Sequence, residues 1–365
     1  MTATSLSDDG LRLYERPRDR TLVKLWLWFV AALVFAMVVV GGATRLTGSG
    51  LSITEWKPIM GAIPPLSHAA WEAAFAQYRE IPQFRIANPD MTLSGFQFIF
   101  WWEWSHRFLG RFIGVAFFVP FVAFLLIGRI TRTELPRFLG LFLLGGLQGL
   151  IGWWMVASGL VDRISVAPYR LAIHLTLASL IFVAIAVTAA TLDRPRGMPT
   201  ASRRSATVLL VAVLVQIFLG ALVAGNGAGL IYNTWPSMNG AFLPPDFLAD
   251  TPLWRNFFEN PATVQFIHRI GAYTIFALAL IEGGQAINRA RKGRRDGKWL
   301  AAALLLTVAG QAALGIATLL AMVPLDLALA HQAGAVLVLL IATLNWVAAG
   351  KGAAASGTAA LPLRA

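Results

Sequence analysis

The segment LWLWFVAALVFAMVVV, from Leu25 to Val40, contains no charged side chain. An α-helix rises about 1.5 Å per residue, so about 20 apolar residues cross a hydrocarbon layer about 30 Å thick. The segment is long for the core of a signal peptide, and no small-residue cleavage site follows it cleanly. It therefore predicts an uncleaved first transmembrane helix. The basic residues that precede it are Arg12, Arg16, Arg18, Arg20 and Lys24.

Seven further segments have a similar length and apolar character. The eight predicted spans cover residues 25–44, 95–127, 138–158, 169–191, 206–225, 263–286, 299–321 and 328–348. The composition agrees with this interpretation, because 57% of the residues are hydrophobic, only 13% are charged, and the mean hydropathy is +0.65. A soluble domain requires more polar surface, so the sequence predicts an all-α membrane protein.

The net charge of +12 would suggest a nucleic-acid partner in a soluble protein. Here most Lys and Arg residues lie in the two tails and in alternate loops, which share one side if there are eight spans. Because cytoplasmic loops are rich in Lys and Arg, we expect an inner-membrane protein with both termini in the cytoplasm and no bound nucleic acid. The chain has no cysteine, which excludes disulfides, thiolate-ligated metal clusters and covalently attached haem.

Two outer loops repeat each other. The first reads GSGLSITEWKPIMGAIPP, from Gly48 to Pro65, and the second reads GAGLIYNTWPSMNGAFLPP, from Gly227 to Pro245. Their glycines and tryptophans align at one constant offset, and the next helices carry the related strings EWSHR and QFIHR. We infer a duplicated four-helix bundle. The predicted units are a cytoplasmic tail at 1–24, an N-terminal bundle at 25–192, a cytoplasmic linker at 193–205, a C-terminal bundle at 206–349 and a cytoplasmic tail at 350–365.

Four of the five histidines, His106, His174, His268 and His331, fall in the outer parts of predicted helices two, four, six and eight. Ionisable groups at membrane depth are costly and usually functional. Two histidines on separate helices of one bundle can hold a b-type haem, so we predict one porphyrin site per half toward the periplasmic face. Zinc is less favoured because its tetrahedral coordination would be incomplete. Any one histidine alone could instead bond a neighbouring helix. His68, in the outer loop, is interpreted as an ordinary interfacial residue.

Arg107 and Arg269 directly follow two of these histidines. They could pair with haem propionates or anchor lipid phosphates, and Arg45 at the end of the first span has the same ambiguity. Glycines in the first, third and fifth spans either make room for a macrocycle or tighten helix packing, and packing is the favoured interpretation.

Glu103 precedes His106 by three residues, so the two share a helical face, and the repeat counterpart of Glu103 is Gln265. A carboxylate costs more than an amide inside a membrane. We therefore interpret Glu103 as a group that exchanges a proton or stabilises a positive charge. This would make the N-terminal half reactive and the C-terminal half electron-transferring. The structural alternative is a salt bridge from Glu103 to a nearby arginine.

The strings GGATRLTGSGLSITEWKP, EWSHR, NTWPSMNG and QFIHR resemble the heme A synthase family, in its cysteine-free alphaproteobacterial and mitochondrial branch, over about Leu25 to Val347. The resemblance implies an oxidoreductase that converts the C8 methyl group of haem O to a formyl group by two successive hydroxylations. The product, haem A, serves terminal oxidases. By matching motifs, the implied roles are a resident haem b on His268 and His331, a substrate site framed by His106 and His174, and Glu103 as the acid–base or charge-stabilising group.

The resemblance also implies a haem O synthase as partner, together with an unidentified electron-transfer partner and, as a further candidate, terminal-oxidase assembly factors. From the residues alone, two other classes stay open. One is a dihaem cytochrome with two histidines on each iron that carries electrons from quinol, although such a protein usually stacks its haems toward both faces. The other is a transporter with parallel repeats, although the sequence shows no broken-helix ion site.

Overall fold

The structure is a computed structural model that describes residues 20–193, 204–291 and 298–350. Within these ranges the chain forms helices and no strand, which confirms the all-α fold. The α-helices of these ranges are α1 Thr21–Leu46, α2 His68–Arg79, α3 Leu93–Leu126, α4 Leu135–Ala157, α5 Pro168–Thr191, α6 Arg204–Gly225, α7 Asn256–Glu259, α8 Pro261–Arg291, α9 Lys298–Leu320 and α10 Leu325–Ala349.

Eight of these helices, all except α2 and α7, are long and apolar enough to cross a membrane, which confirms the predicted spans. Their outer surfaces are apolar. In the most apolar 18-residue window of α4, only 6% of the residues are buried inside the protein. Such surfaces need lipid as their solvent, so the chain is a multi-pass membrane protein. Most of the predicted cytoplasmic tails and of the linker lies outside the described residues, and α1 begins at Thr21, within the predicted tail 1–24. The cytoplasmic position of both termini stays a prediction.

The helices α1 and α6 end in the same way. Gly48 follows α1 with a φ of 67°, and Gly227 follows α6 with a φ of 62°. Glycine adopts this left-handed conformation readily because it has no Cβ. After Gly48, the N–H group of Ser49 donates to the carbonyl of Thr44 at 2.8 Å and closes the helix. The two glycines that align between the outer loops therefore have the same backbone role.

The helices α1, α3, α4 and α5 contact one another in a ring, and so do α6, α8, α9 and α10. This agrees with the predicted two groups of four, whose separation into two bundles stays a prediction. The groups meet where α5 contacts α6 and α10, and where α1 contacts α10. At this junction the amide of Gln332 donates to the carbonyl of Val38 at 2.6 Å, and a Cβ on Gly42 would overlap that amide. Gly42 thus allows α1 and α10 to approach closely.

The outer loop after α1 contains the short helix α2. Ser67 caps the N-terminus of α2, because its hydroxyl oxygen accepts from the N–H group of Ala70 at 3.2 Å. The apolar face of α2 packs against α3, because Phe75 and Tyr78 are buried and the Phe75 ring centroid lies 5.1 Å from that of Phe96. These aromatic residues form part of the protein core above the N-terminal group of helices.

Candidate functional site

The four intramembrane histidines share one local arrangement. Each lies on the second helix of a pair of consecutive spans, and its ring contacts a glycine on the first helix of that pair. The pairs are Gly41–His106, Gly152–His174, Gly220–His268 and Gly315–His331. A Cβ placed on any of these glycines would lie 2.7 to 3.1 Å from Cε1 of the ring, closer than Cβ atoms normally approach a neighbour. Glycine therefore lets each ring lie directly against the neighbouring helix.

Three of the rings are also held by a glutamine, four residues before the glycine. The pairs and their distances from the amide nitrogen to Nδ1 are Gln148–His174 at 3.1 Å, Gln216–His268 at 3.0 Å and Gln311–His331 at 3.1 Å. The same amide donates to the backbone carbonyl of its histidine in all three pairs. A half-turn of the carboxamide would present its oxygen to Nδ1–H, the tautomer in which Nε2 is free for a metal, and would give up the bond to the backbone carbonyl. For His268 and His331 this partner on Nδ1 orients the ring and leaves Nε2 for a metal, whereas for His174 the same amide nitrogen also lies 3.3 Å from Nε2.

Each half carries two of these rings. His106 and His174 lie on α3 and α5, and His268 and His331 lie on α8 and α10. A haem iron needs two axial ligands because the porphyrin supplies the other four, whereas a bare zinc ion needs about four protein or water ligands. Across residues 20–193, 204–291 and 298–350, no three His, Asp or Glu side chains meet in a metal-binding cluster. The donor set in each half therefore fits a porphyrin.

Glu103 is buried, with 2% of its surface exposed, and both carboxylate oxygens are occupied. Its Oε1 accepts from Arg107, at 2.6 Å from Nη2 and 3.0 Å from Nε. Its Oε2 accepts from the Ser52 hydroxyl and the Ile53 N–H group at 2.8 Å each. Arg107 also donates to the carbonyl of Ile53 at 2.7 Å. This ion pair is the structural alternative considered from the sequence, and it attaches the first outer loop to α3.

Gln265 and Arg269 attach the second outer loop to α8. They donate hydrogen bonds to the loop, whereas Glu103 accepts hydrogen bonds from the first loop. The Gln265 amide donates to the carbonyls of Ala228 at 2.7 Å and Tyr232 at 3.3 Å. Arg269 donates to the Tyr232 carbonyl at 2.8 Å and to Oε1 of Gln265 at 3.2 Å. The first loop presents donors and requires an acceptor, whereas the second presents carbonyls and requires a donor. The difference between Glu103 and Gln265 thus has a structural cause and does not by itself mark a reactive half.

The two arginines expected near haem propionates differ in their free hydrogen-bonding capacity. Arg107 uses its Nε on Glu103, whereas Nε of Arg269 is buried without a hydrogen-bond partner in the part of the chain that the structure describes. An unpaired buried donor suits an anionic group. His68 begins α2 with an exposed ring 3.9 Å from Glu72, in agreement with an interfacial role.

Sequence reasoning missed the three glutamines, and for the glycines it favoured helix packing over room for a macrocycle. A signal was available, because Q-x-x-x-G occurs in three spans and each precedes a histidine-bearing span. The first span has M-x-x-x-G at the corresponding place, from Met37 to Gly41. Only the contact between the glycine and the histidine ring in the folded structure shows what this sequence pattern does.

Comparison with known proteins agrees with this architecture. Residues 24–343 match the COX15-CtaA family, described as "Cytochrome oxidase assembly protein". A heme A synthase of Azorhizobium caulinodans is 55% identical over 339 residues, which are 90% of this chain and 94% of the relative. A heme A synthase of Chelativorans sp. is 53% identical over 334 residues, 90% of this chain and 91% of the relative. One of Brucella abortus is 50% identical over 367 residues, 98% of this chain and 100% of the relative. The chain therefore belongs to the COX15-CtaA family of cytochrome oxidase assembly proteins, the family of the heme A synthases.

Proposed function

We propose that this chain is a heme A synthase, which oxidises the C8 methyl group of haem O to a formyl group in two successive hydroxylations. Each hydroxylation removes two electrons from the methyl carbon, and the geminal diol formed by the second loses water. The observation that carries the proposal is the pair of glycine-backed histidine sites, in a chain 50–55% identical to proteins named heme A synthase. One site can hold the substrate while the other holds a resident redox haem.

We assign the substrate to the N-terminal site, at His106 and His174, and a resident haem b to His268 and His331. The enclosure of the helices supports this assignment. In their most apolar windows, α3 and α4 have 11% and 6% of their residues buried, whereas their counterparts α8 and α9 have 22% and 17%. A lipid-soluble substrate that enters and leaves through the bilayer needs the less enclosed site. A haem b at the other site would supply one-electron chemistry.

In this proposal the charged residues position the outer loop and the bound haem. Glu103 and Arg107 keep the first outer loop over the substrate site, so we assign Glu103 as a positioning residue whose oxygens are already hydrogen-bonded. Arg269 offers its unpaired Nε to a propionate of the resident haem. A haem O synthase is the expected donor of the poorly water-soluble substrate. A separate redox partner exchanges electrons with the resident haem: it takes them up where water supplies the oxygen atom, and it supplies them where dioxygen does.

The proposal is tested by mass spectrometry of the haems extracted from protein co-expressed with a haem O synthase. We expect haem b together with haem O, its hydroxylated intermediate or haem A. The matched control is the double variant His106→Ala and His174→Ala, which should keep haem b and contain no haem A. Haem b alone, at two per chain in the unmodified protein, would contradict the proposal and favour the dihaem cytochrome.

A single added side chain should remove haem b from the site at His268 and His331. In Gly315→Val, the Cβ would lie 2.7 Å from Cε1 of His331, so the branched side chain must displace the ring. We expect the haem b content to fall by about tenfold or more, as is typical when a ligand loses its orientation. The measurement is the pyridine haemochrome spectrum per mole of protein.

The control for this prediction is Gly310→Val on the same helix. A Cβ at Gly310 meets no atom within 4 Å, so this variant has the same change in helix propensity without the steric conflict. We expect it to retain haem b. Equal haem contents in the two variants would show that the His331 ring does not bind the haem from its present position.

A further inference from the structure

His106 lacks the hydrogen bond that the other three intramembrane histidines make. Its Nδ1 is buried, and within the described residues it has no hydrogen-bond partner. The residue four positions before its glycine, Gly41, is Met37. A thioether is a weak acceptor and cannot donate, so it does not replace an amide.

The exception at Met37 is specific to one position of the repeat. Met37 and Gly41 align with Gln216 and Gly220 at the offset that also aligns the two outer loops. The contact of the ring with its glycine is conserved between these two positions, because Cε1 would lie 2.9 Å from a Cβ at Gly41 and 3.1 Å from one at Gly220. The histidine ring therefore lies against its glycine at both positions, and only the hydrogen-bond partner of Nδ1 differs.

The end of the Met37 side chain packs further along α3. Its Cε lies 3.2 Å from the place of a Cβ on Gly110, one turn beyond His106. Hydrogen bonds to the outer nitrogen of a metal-bound histidine fix the ring and raise its basicity, and losing one typically costs about 10- to 100-fold in metal affinity. Of the four rings, His106 is therefore the weakest candidate for a permanent ligand, while His174 in the same half is held by Gln148.

We propose that His106 is an exchangeable axial ligand, whose Nε2 leaves the iron of the N-terminal haem reversibly while His174 stays bound. A small neutral ligand, such as dioxygen or water, then takes the vacated position. One lone-pair donor replaces another in this exchange, and no electron or proton is transferred. The identity of that haem as haem O rests on the proposed function. The asymmetry between His106 and His174 does not.

Carbon monoxide is a suitable probe, because it binds ferrous haem where an axial position opens. Haem-loaded protein is reduced and titrated with carbon monoxide, and binding is followed by the shift of the Soret band. We expect one of the two haems to bind carbon monoxide. Met37→Gln supplies the missing amide and should weaken or slow binding by about tenfold or more. Met37→Leu, of similar size but without an amide, should behave as the unmodified protein.

A reverse substitution tests the same idea in the other half. Gln311→Met removes the amide from His331, and we expect a second haem that binds carbon monoxide. This gain of binding remains a test if Met37→Gln fails to fold. The proposal is overturned if the unmodified protein binds no carbon monoxide, or if a folded Met37→Gln variant binds it unchanged.

The two proposals fail separately. Haem A production by a protein that never binds carbon monoxide would overturn the exchangeable ligand and leave the proposed function standing. Carbon monoxide binding that responds to Met37→Gln, in a protein that makes no haem A, would support the exchangeable ligand and overturn the proposed function.

Discussion

His268→Ala and His331→Ala are each expected to remove the resident haem b and to reduce haem A to below the detection limit. Each ring contacts its glycine, and each is hydrogen-bonded by a glutamine, so alanine removes an oriented ligand that nothing nearby can replace. The N-terminal site lies on other helices and should still bind haem. The absorption spectrum of the reduced protein and mass spectrometry of extracted haems measure the two contents.

The control for this prediction is His68→Ala, because His68 is exposed in the outer loop and 3.9 Å from Glu72. We expect this variant to contain both haems and to form haem A. If His268→Ala or His331→Ala kept one haem b per chain at normal affinity, the assignment of the resident site to the C-terminal half would be wrong. Loss of haem from both halves together would instead show that the two groups of helices depend on each other for folding.

Glu103→Ala is expected to stop haem A formation and to lower the stability of the protein, with haem b retained. The substitution leaves the guanidinium of Arg107 uncompensated, and it leaves the donors of Ser52 and Ile53 unpaired. Breaking a buried ion pair by removing one partner costs about 3–5 kcal/mol. The part of the first outer loop at Ser52 and Ile53 should then loosen on α3, while the packing of α2 still holds the rest of the loop. Thermal unfolding, the haem b spectrum and the yield of haem A report the three effects.

The variant Glu103→Gln distinguishes a positioning role of Glu103 from a role in proton transfer. An amide can still accept from Arg107 through its oxygen, but its NH2 group faces the N–H group of Ile53, so part of the attachment remains. A positioning role predicts that haem A yield and thermal stability fall together, both less than in Glu103→Ala. A variant with unchanged stability and no haem A would assign Glu103 a direct chemical role. Gln265→Glu is the matched control, since it places a carboxylate against two carbonyls and should destabilise the second loop.

The ends of the spanning helices could be predicted from the sequence to within five residues, the largest difference being 286 against Arg291 at the end of α8. The segment 169–191 corresponds to Pro168–Thr191, and 299–321 corresponds to Lys298–Leu320. The thickness of the hydrocarbon layer sets the length of an apolar run, so a span is a local property that a single segment carries. The positions of the four histidines along their helices follow from the same local pattern.

The hydrogen bonds of Glu103 could not be predicted in this way. The sequence marked the acid as unusual and named an arginine as an alternative partner, but Ser52 and Ile53 precede Glu103 by about fifty residues. Every peptide group has one donor and one acceptor, so the residue types of a loop do not state which of them faces the helix. Only the folded loop shows that the first half requires a carboxylate and the second an amide.

The sequence by itself determined eight segments long and apolar enough to cross a membrane, and it predicted two related halves with two intramembrane histidines in each. The tertiary structure decided which faces of those helices meet. It brought each intramembrane ring against a glycine, and among these four rings it left only Nδ1 of His106 without an amide. The physical reason is that lipid-embedded helices are apolar all round, so hydrophobic periodicity does not specify their rotation. Close packing at small residues and a few interhelical hydrogen bonds specify it instead.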